Sequence, residues 1–264
     1  MNLTIVTGDH KRHLYFADLL VKNGFTFDWF IEERESALPE PDFQFNREIK
    51  KLFNLHFEKR DMSEQLFFGK NPGELAKKKI NNIIKIKKNL CAKNLKQFKK
   101  DCLITYGCGI IKNNILELFS AYKFNIHAGL SPRYRGAATH FWPTYLMEPE
   151  YTGVTFHELT EEIDAGNIFH QTSIHINKND GIHENACKSM IQFFDDLPKL
   201  LTFIFNSKEK LNGIKQKTKG RLWTEKMWNP LTLKIIYEIF DDKINKFCLE
   251  NKNLNKVKLY SVFK

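Results

Sequence analysis

Asn125 and His127 stand two residues apart in a short apolar run, and an acid, Asp164, follows later beside a glycine. On a β-strand the two side chains would project to the same face, so an amide and an imidazole would lie side by side. An amide N–H can stabilise the oxyanion of a tetrahedral intermediate, an imidazole can move a proton, and a carboxylate can orient that imidazole. Such a set suits acyl transfer. An Asn-x-His pair alone is a weak signal, because a histidine on a strand is more often a structural residue.

The elements that must position these residues alternate between strand and helix. Residues 3–6 form a short apolar run before Gly8, residues 11–23 carry apolar side chains at helical spacing, and residues 25–31 alternate in polarity. This order predicts a β-α-β unit and, by extension, a sheet with flanking helices.

The later segments continue this pattern. Strands are predicted at 102–106, 153–159 and 168–176, and a further strand is predicted to end at His127. Helices are predicted at 45–68, 110–119, 182–205 and 231–247. Ligands bind at the carboxyl ends of the strands in an open parallel sheet. We therefore expect Gly8, Gly107, Gly109 and the Asn125/His127 pair to converge on one rim.

A longer motif makes the pair specific. Residues 125–136 read NIHAGLSPRYRG, residues 163–166 read IDAG, and residues 107–109 read GCG. This combination resembles the N10-formyltetrahydrofolate-dependent formyltransferases, which include glycinamide ribonucleotide formyltransferase, methionyl-tRNA formyltransferase and the N-formyltransferases of nucleotide-linked amino sugars. The resemblance extends over residues 1–205.

The resemblance implies a fold and a domain plan. We expect an α/β, Rossmann-like formyltransferase fold, that is, an open, mostly parallel twisted sheet with helices on both faces. Residues 1–206 are expected to form the catalytic domain. Residues 207–264 are expected to form a short C-terminal extension with a small β element and a helix, too short for a typical second domain.

The resemblance also implies roles for the site residues. Asn125 would donate to the formyl oxygen as it becomes an oxyanion, and His127 would stabilise that oxyanion and assist proton movement. Asp164 would orient His127 and help to remove a proton from the attacking amine. The co-substrate would be N10-formyltetrahydrofolate, held in a cleft by Tyr106, Gly107, Ile110, Ile163 and Gly166.

Contacts with the acceptor substrate are expected on two segments. His10 and Arg12 follow the first strand, where the glycinamide ribonucleotide enzyme holds its substrate phosphate; the alternative is a solvated helix start with Asp9 as N-cap. A second segment supplies Arg133, Tyr134, Arg135 and Trp142, although aromatic residues at helical spacing more often belong to a core. The remaining histidines lack the spacing of a metal site, so no metal is expected.

Several acceptors are compatible with the motif. We favour a dTDP- or UDP-linked deoxyamino sugar of surface glycan, O-antigen or lipopolysaccharide synthesis, because residues 130–132 read LSP where the purine enzyme typically reads LLP, and because that enzyme is normally shorter. A methionyl-tRNA formyltransferase is the alternative, but residues 207–264 are too short for its usual C-terminal barrel. A formyltetrahydrofolate hydrolase or a binding protein without turnover is less favoured. The sequence leaves the oligomeric state open, with a homodimer as one alternative.

The net charge of +10 is local. Residues 70–100 contain 11 lysines and one acid, Glu74, which accounts for the whole excess. We interpret this block as a solvated, lysine-rich helical face before the strand that ends at Tyr106, away from the carboxyl-end rim, so a nucleic-acid partner is not expected. The absence of a signal peptide or a long apolar run, and cysteines without paired spacing, predict a cytoplasmic protein that is not inserted in a membrane.

Overall fold

The computed structural model of the chain describes residues 1–33, 46–87, 90–95, 98, 100–251 and 254–263. Its strands are β1 (Leu3–Gly8), β2 (Phe27–Glu32), β3 (Ile83–Ile86), β4 (Cys102–Tyr106), β5 (Tyr122–His127), β6 (Arg135–Gly136), β7 (Gly153–Glu158), β8 (Ile168–Ser173) and β9 (Leu222–Trp223). Seven of them form one sheet in the order β3-β2-β1-β4-β5-β7-β8. The first five of that order are parallel, and β7 and β8 are antiparallel to their neighbours. β6 and β9 form a separate two-stranded ladder.

Helices cover both faces of the sheet. They are α1 (Lys11–Lys22), α2 (Arg47–Phe68), α3 (Glu74–Lys79), α4 (Asn113–Leu116), α5 (Trp142–Tyr145), α6 (Ile182–Asn206) and α7 (Ile244–Asn251). Neighbouring residues of β1 point to opposite faces: Ile5 packs in the cluster that contains Phe16 of α1 and Phe194 of α6, whereas Val6 packs in the cluster around Leu103. Within the described ranges, no helix is long and apolar enough to cross a membrane.

The chain order creates a crevice beside β1. From β1 the chain builds β2 and β3 on one side and then returns to build β4 and β5 on the other, so the strand order reverses between β1 and β4. Ligands bind in open α/β sheets at such a switch point, outside the carboxyl ends of the strands. Gly8 ends β1 and Gly107 follows β4, so both glycines lie at the predicted rim.

Two predicted elements in the middle of the chain are wrong in part. The helix predicted over 110–119 is only the single turn α4, because the segment before it is held in another conformation by Glu32, whose Oε1 accepts from the Gly109 N–H at 3.0 Å. The lysine block contains the edge strand β3 in addition to α3, because it pairs in parallel with β2. Lys88, Lys96 and Lys99 of that block lie outside the described residues, as does residue 45 at the start of the helix predicted over 45–68.

The continuous helix predicted over 231–247 is also wrong. A 3-10 turn (Pro230–Thr232) and a π-helical turn (Ile235–Ile239) come first, and α7 begins only at Ile244. Between the π-helical turn and α7, Asp241 and Asp242 have positive φ angles of 49° and 57°. Asp242 Oδ1 accepts from the N–H of Ile182 at 2.9 Å, so the reversal caps the start of α6.

Gly107 provides a test of how tightly the rim is packed. Its φ is +67°, and a Cβ added there would lie 2.1 Å from Cε1 of the His13 ring. Gly24 also has a positive φ, +82°, but an added Cβ would meet nothing within 4 Å. We expect Gly107→Ala to lower the free energy of unfolding by about 1 kcal/mol or more beyond the loss caused by Gly24→Ala. Urea unfolding of the two variants measures this difference, and equal losses would show that His13 moves aside without cost.

Candidate active site

Asn125, His127 and Asp164 meet in the structure as the sequence predicts. Asn125 and His127 lie on β5, and the loop between β7 and β8 carries Asp164. Asn125 Nδ2 donates to Asp164 Oδ1 at 3.2 Å, and His127 Nδ1 lies 3.2 Å from Asp164 Oδ2. His127 and Asp164 are both buried. The amide and the imidazole thus face one carboxylate.

The orientation of the Asn125 amide is fixed from two sides. Its Oδ1 accepts from the Thr105 hydroxyl at 2.8 Å, and its Nδ2 also lies 3.2 Å from Nε2 of His157. The Nδ1 of His157 lies 2.7 Å from the backbone oxygen of Glu158, which can only accept, so this nitrogen carries a hydrogen. A flipped amide would place Oδ1 against the Asp164 carboxylate and lose these bonds.

His127 is placed to take up one proton. Its Nε2 lies 2.6 Å from the backbone oxygen of Tyr134 and therefore carries a hydrogen, which leaves Nδ1 facing Asp164. Burial lowers the pKa of His127 below its ordinary value, although Asp164 opposes this effect. The neutral ring then has its free lone pair on Nδ1. A proton arriving there would be shared with the carboxylate.

The Asp164 carboxylate stays ionised despite its burial. Burial alone would raise its pKa, but the positive charge that His127 and His157 carry when protonated outweighs this, together with the N–H of Gly136, which donates to Oδ2 at 2.8 Å. The pKa of Asp164 therefore lies below the ordinary aspartate range. The residue also has a φ of +49°, a left-handed conformation that a non-glycine residue adopts only where its surroundings impose it.

The three residues line a cleft of about 890 Å³. Of the residues predicted to hold the folate, Tyr106, Gly107, Ile110 and Ile163 line this cleft, and the two isoleucine side chains are 57% and 39% exposed. Half-exposed apolar side chains at a cleft fit a flat aromatic ligand. Gly166 does not line the cleft: an added Cβ would lie 1.8 Å from the backbone oxygen of Glu158, so the glycine allows a close approach to β7.

Another wall of the cleft carries a cluster of charged and polar side chains around one buried carboxylate, that of Glu64. His10 and Arg12, both predicted, line it together with Arg60 and Glu64 of α2. Arg60 Nε and Arg12 Nε lie 3.0 and 3.5 Å from the same oxygen of Glu64. Burial raises the pKa of Glu64, but the two guanidinium groups hold it below the ordinary value. Two partly buried cations thus share one buried anion.

Four predicted acceptor contacts lie outside the cleft. Arg133 and the Tyr134 hydroxyl both donate to Glu148, at 2.7 and 2.9 Å, and Trp142 stacks on Trp223 with ring centroids 4.4 Å apart. Arg135 is buried and donates to the backbone oxygen of Ile163, in the loop that carries Asp164. The structure does not bring these four side chains, Arg133, Tyr134, Arg135 and Trp142, to the cleft wall.

Other residues of the site were not singled out from the sequence. His157 lies opposite Asn125 in the antiparallel pairing of β5 with β7, and only that register could have identified it. Arg60 and Glu64 carry no local signal, since an exposed helix has the same residue types. The extension also contributes to the cleft through residues 222–226. Over the described ranges, no three His, Cys, Asp or Glu side chains are grouped to hold a metal ion.

Residues 67–190 match the family described as Formyl transferase. The chain is similar to the bifunctional polymyxin resistance protein ArnA of Wigglesworthia glossinidia brevipalpis, with 32% identity over 162 residues that cover 58% of this chain and 23% of that protein. It is also similar to methionyl-tRNA formyltransferase of Prochlorococcus marinus (strain MIT 9215), with 34% identity over 148 residues that cover 54% and 45%. The chain thus spans less than half the length of either curated relative.

A solved structure has the same fold. The formyltransferase PseJ of Anoxybacillus kamchatkensis, in complex with UDP-4,6-dideoxy-4-formamido-L-AltNAc and tetrahydrofolate, superposes with a TM-score of 0.51. The match covers 92% of this chain and 96% of that one at 17% identity. The superposition confirms the predicted fold, and the family match confirms the resemblance to formyltransferases over residues 67–190.

The ionised state of Asp164 predicts a specific loss of stability in acid. A carboxyl group whose folded pKa is depressed stabilises the protein above its ordinary pKa, and this contribution is lost as the pH falls through the folded value. Below about pH 4, the ordinary aspartate pKa, the unfolding free energy of the wild type should therefore fall more steeply than that of Asp164→Asn. Urea unfolding over a pH series measures the slopes. The exposed Asp195→Asn is the control and should follow the wild type; a parallel curve for Asp164→Asn would contradict the assignment.

Proposed function

We propose that this chain, which resembles the formyltetrahydrofolate-dependent formyltransferases, transfers a formyl group from N10-formyltetrahydrofolate to the amino group of a nucleotide-linked deoxyamino sugar. The observation that carries the proposal is the contact of Asn125 and His127 with the buried Asp164 carboxylate in a cleft of about 890 Å³. The dTDP- or UDP-linked sugar would serve surface glycan synthesis.

The chain's own groups would assist each bond change. The acceptor nitrogen forms a bond to the formyl carbon, the bond from that carbon to N10 breaks, and one proton passes from the acceptor nitrogen to N10. Asn125 would donate an Nδ2 hydrogen to the oxygen as it becomes an oxyanion. Because that nitrogen already contacts His157 and Asp164, one of these bonds must be exchanged for the bond to the substrate.

His127 and Asp164 would carry the proton. The acceptor amine must be neutral to attack, and it becomes cationic as the new bond forms. Nδ1 of His127 faces the Asp164 carboxylate, so a proton taken up there is stabilised by an adjacent negative charge. The same proton can then be returned to the folate nitrogen as it leaves.

The charged wall of the cleft supports an anionic acceptor. Arg12 and Arg60 share a single carboxylate, Glu64, so a phosphate or diphosphate group beside them would balance the second positive charge. Burial lowers the pKa of His10, and Arg60 and Arg12 lower it further, so its ring stays neutral and can donate a hydrogen bond. A nucleotide sugar has such a diphosphate.

A methionyl-tRNA formyltransferase is the second candidate. The observation in its favour is the 34% identity to a protein of that name. A tRNA acceptor would need phosphate contacts, for which the lysines of residues 70–100 are the obvious source. However, no described lysine of that block lines the cleft. We therefore keep the sugar as the proposed acceptor.

A panel of acceptors tests the proposal. The purified protein is incubated with N10-formyltetrahydrofolate and, separately, with dTDP- and UDP-linked amino sugars, glycinamide ribonucleotide or initiator Met-tRNA. We expect mass spectrometry to detect a formyl gain on at least one nucleotide sugar. A formyl gain on Met-tRNA alone would support the second candidate and contradict the first.

Single substitutions test the assigned roles. Asn125→Ala should lower kcat by about 100- to 1,000-fold, since it removes an oxyanion donor, and His127→Ala and Asp164→Ala should lower it by at least as much. The exposed His175→Ala serves as the control and should keep wild-type turnover. Circular dichroism verifies folding. Near-wild-type kcat in any of the three variants would contradict the role assigned to that residue.

The same assay distinguishes the contribution of the charged cleft wall to acceptor binding from that of the lysine block. Arg60→Met should raise the KM for the nucleotide sugar at least tenfold and leave the KM for the folate within about twofold, because the lost cation faces only the acceptor. Replacing Lys77, Lys78 and Lys79 by Gln should change neither constant, since these side chains are exposed and lie outside the cleft. The opposite pattern would place acceptor recognition on the lysine block.

A further inference from the structure

The loop that carries Asp164 is held by side chains from two other segments. Gln216 of the C-terminal extension donates from Nε2 to the backbone oxygens of Asp164, at 2.9 Å, and of Gly166, at 2.8 Å. Arg135 of β6 donates from Nε to the backbone oxygen of Ile163 at 2.8 Å. Three of the four carbonyl groups of residues 163–166 are therefore bound by these two side chains.

The loop requires this support because of its path. It leaves β7 at Glu158, which lies opposite Phe124, and must turn back along β5 to bring a carboxylate to His127. The reversal places Asp164 in the left-handed conformation at φ +49°, which is unfavourable for a residue with a side chain. Side-chain donors that bind the carbonyls of the loop can offset this cost.

Gln216 is itself fixed in place. Two residues before it, Ile214 exchanges backbone hydrogen bonds with Ile168 of β8, at 2.7 and 2.8 Å. After it, β9 pairs with β6, and the backbone oxygen of Lys219 accepts from Arg135 Nη1 at 2.6 Å. The extension is thus attached to the sheet on both sides of Gln216, and both hydrogens of the Gln216 amide are directed at the loop.

We infer that Gln216 is a positioning residue for Asp164, and that the extension contributes to the active site through this side chain and through residues 222–226, which line the cleft. The inference rests on the proposed function for its effect on turnover. Gln216 touches no reacting atom. It acts by holding the backbone of Asp164, so that the carboxylate keeps its distances to Asn125 and His127.

Substitutions of Gln216 test the inference. Gln216→Glu keeps the size of the side chain but replaces its donors by oxygens that face two carbonyl groups, and Gln216→Leu removes the donors. Both should lower kcat by about 10- to 100-fold, the loss expected from a small misplacement of a catalytic group, with the KM values within about threefold. The exposed neighbour Lys217→Leu is the matched control and should keep wild-type turnover.

A second readout does not depend on turnover. The titration of His127, followed by NMR, reports the nearby carboxylate directly. In Gln216→Glu and Gln216→Leu the pKa of His127 should fall relative to wild type, since a displaced Asp164 no longer stabilises the imidazolium, whereas Lys217→Leu should not change it. If a variant fails to fold, the shorter Gln216→Asn, which cannot reach both carbonyl groups, replaces it.

The outcomes separate this inference from the proposed function. Wild-type kcat and an unchanged His127 titration in the folded Gln216 variants would overturn the positioning role, even where Asn125→Ala abolishes turnover. If the wild type formylates no acceptor, the proposed function fails. In that case a lowered pKa of His127 in Gln216→Leu would still support the positioning of Asp164 by Gln216, and an unchanged titration would refute it.

Discussion

The site depends on one buried negative charge, that of Asp164. A carboxylate removed from water is stable only where hydrogen-bond donors and positive charge replace its hydration. These come from distant parts of the chain: the Asn125 amide on β5 and the backbone N–H of Gly136 donate to the carboxylate, and the rings of His127 and His157 lie beside it and add positive charge when protonated. The arrangement that keeps this carboxylate ionised also places an amide and an imidazole side by side, as the proposed formyl transfer requires. Stability and chemistry therefore impose the same geometry.

The antiparallel end of the sheet follows from this requirement. If the strand beside β5 were parallel to it, the chain would need a long crossover before it returned to the site. Instead, β7 runs antiparallel to β5 and places His157 directly opposite Asn125. The loop after β7 then has to fold back, and its left-handed residue is the one that carries the charge. The cost of that reversal is offset from outside the sheet, by Arg135 and Gln216. The extension is in this sense a support for the loop.

The sequence allowed most of the sheet to be predicted, because its strands are short apolar runs ended by glycine or by polar residues. The side-by-side placement of Asn125 and His127 follows from the two-residue period of a strand alone. Contacts that depend on tertiary structure were not predictable in this way. Arg135, expected at the substrate, is buried beneath the Asp164 loop, and Arg60 and Gln216 were missed because nothing local distinguishes them from exposed residues of the same type. The helix predicted over 231–247 failed for the same reason, since Asp242 caps α6 instead.

The location of a charge decides what it can recognise. The excess of lysines between residues 70 and 100 gives the chain its basic character, but an exposed ammonium is already well hydrated and is screened by salt, so it contributes little to the binding of a small ligand. Arg12 and Arg60 add only two charges, yet they have lost most of their water and share one carboxylate. An anion that enters the cleft therefore displaces little water from these two guanidinium groups. In the proposed function, recognition of a phosphorylated acceptor would therefore fall to these two guanidinium groups, and we expect the lysine block to vary without affecting it.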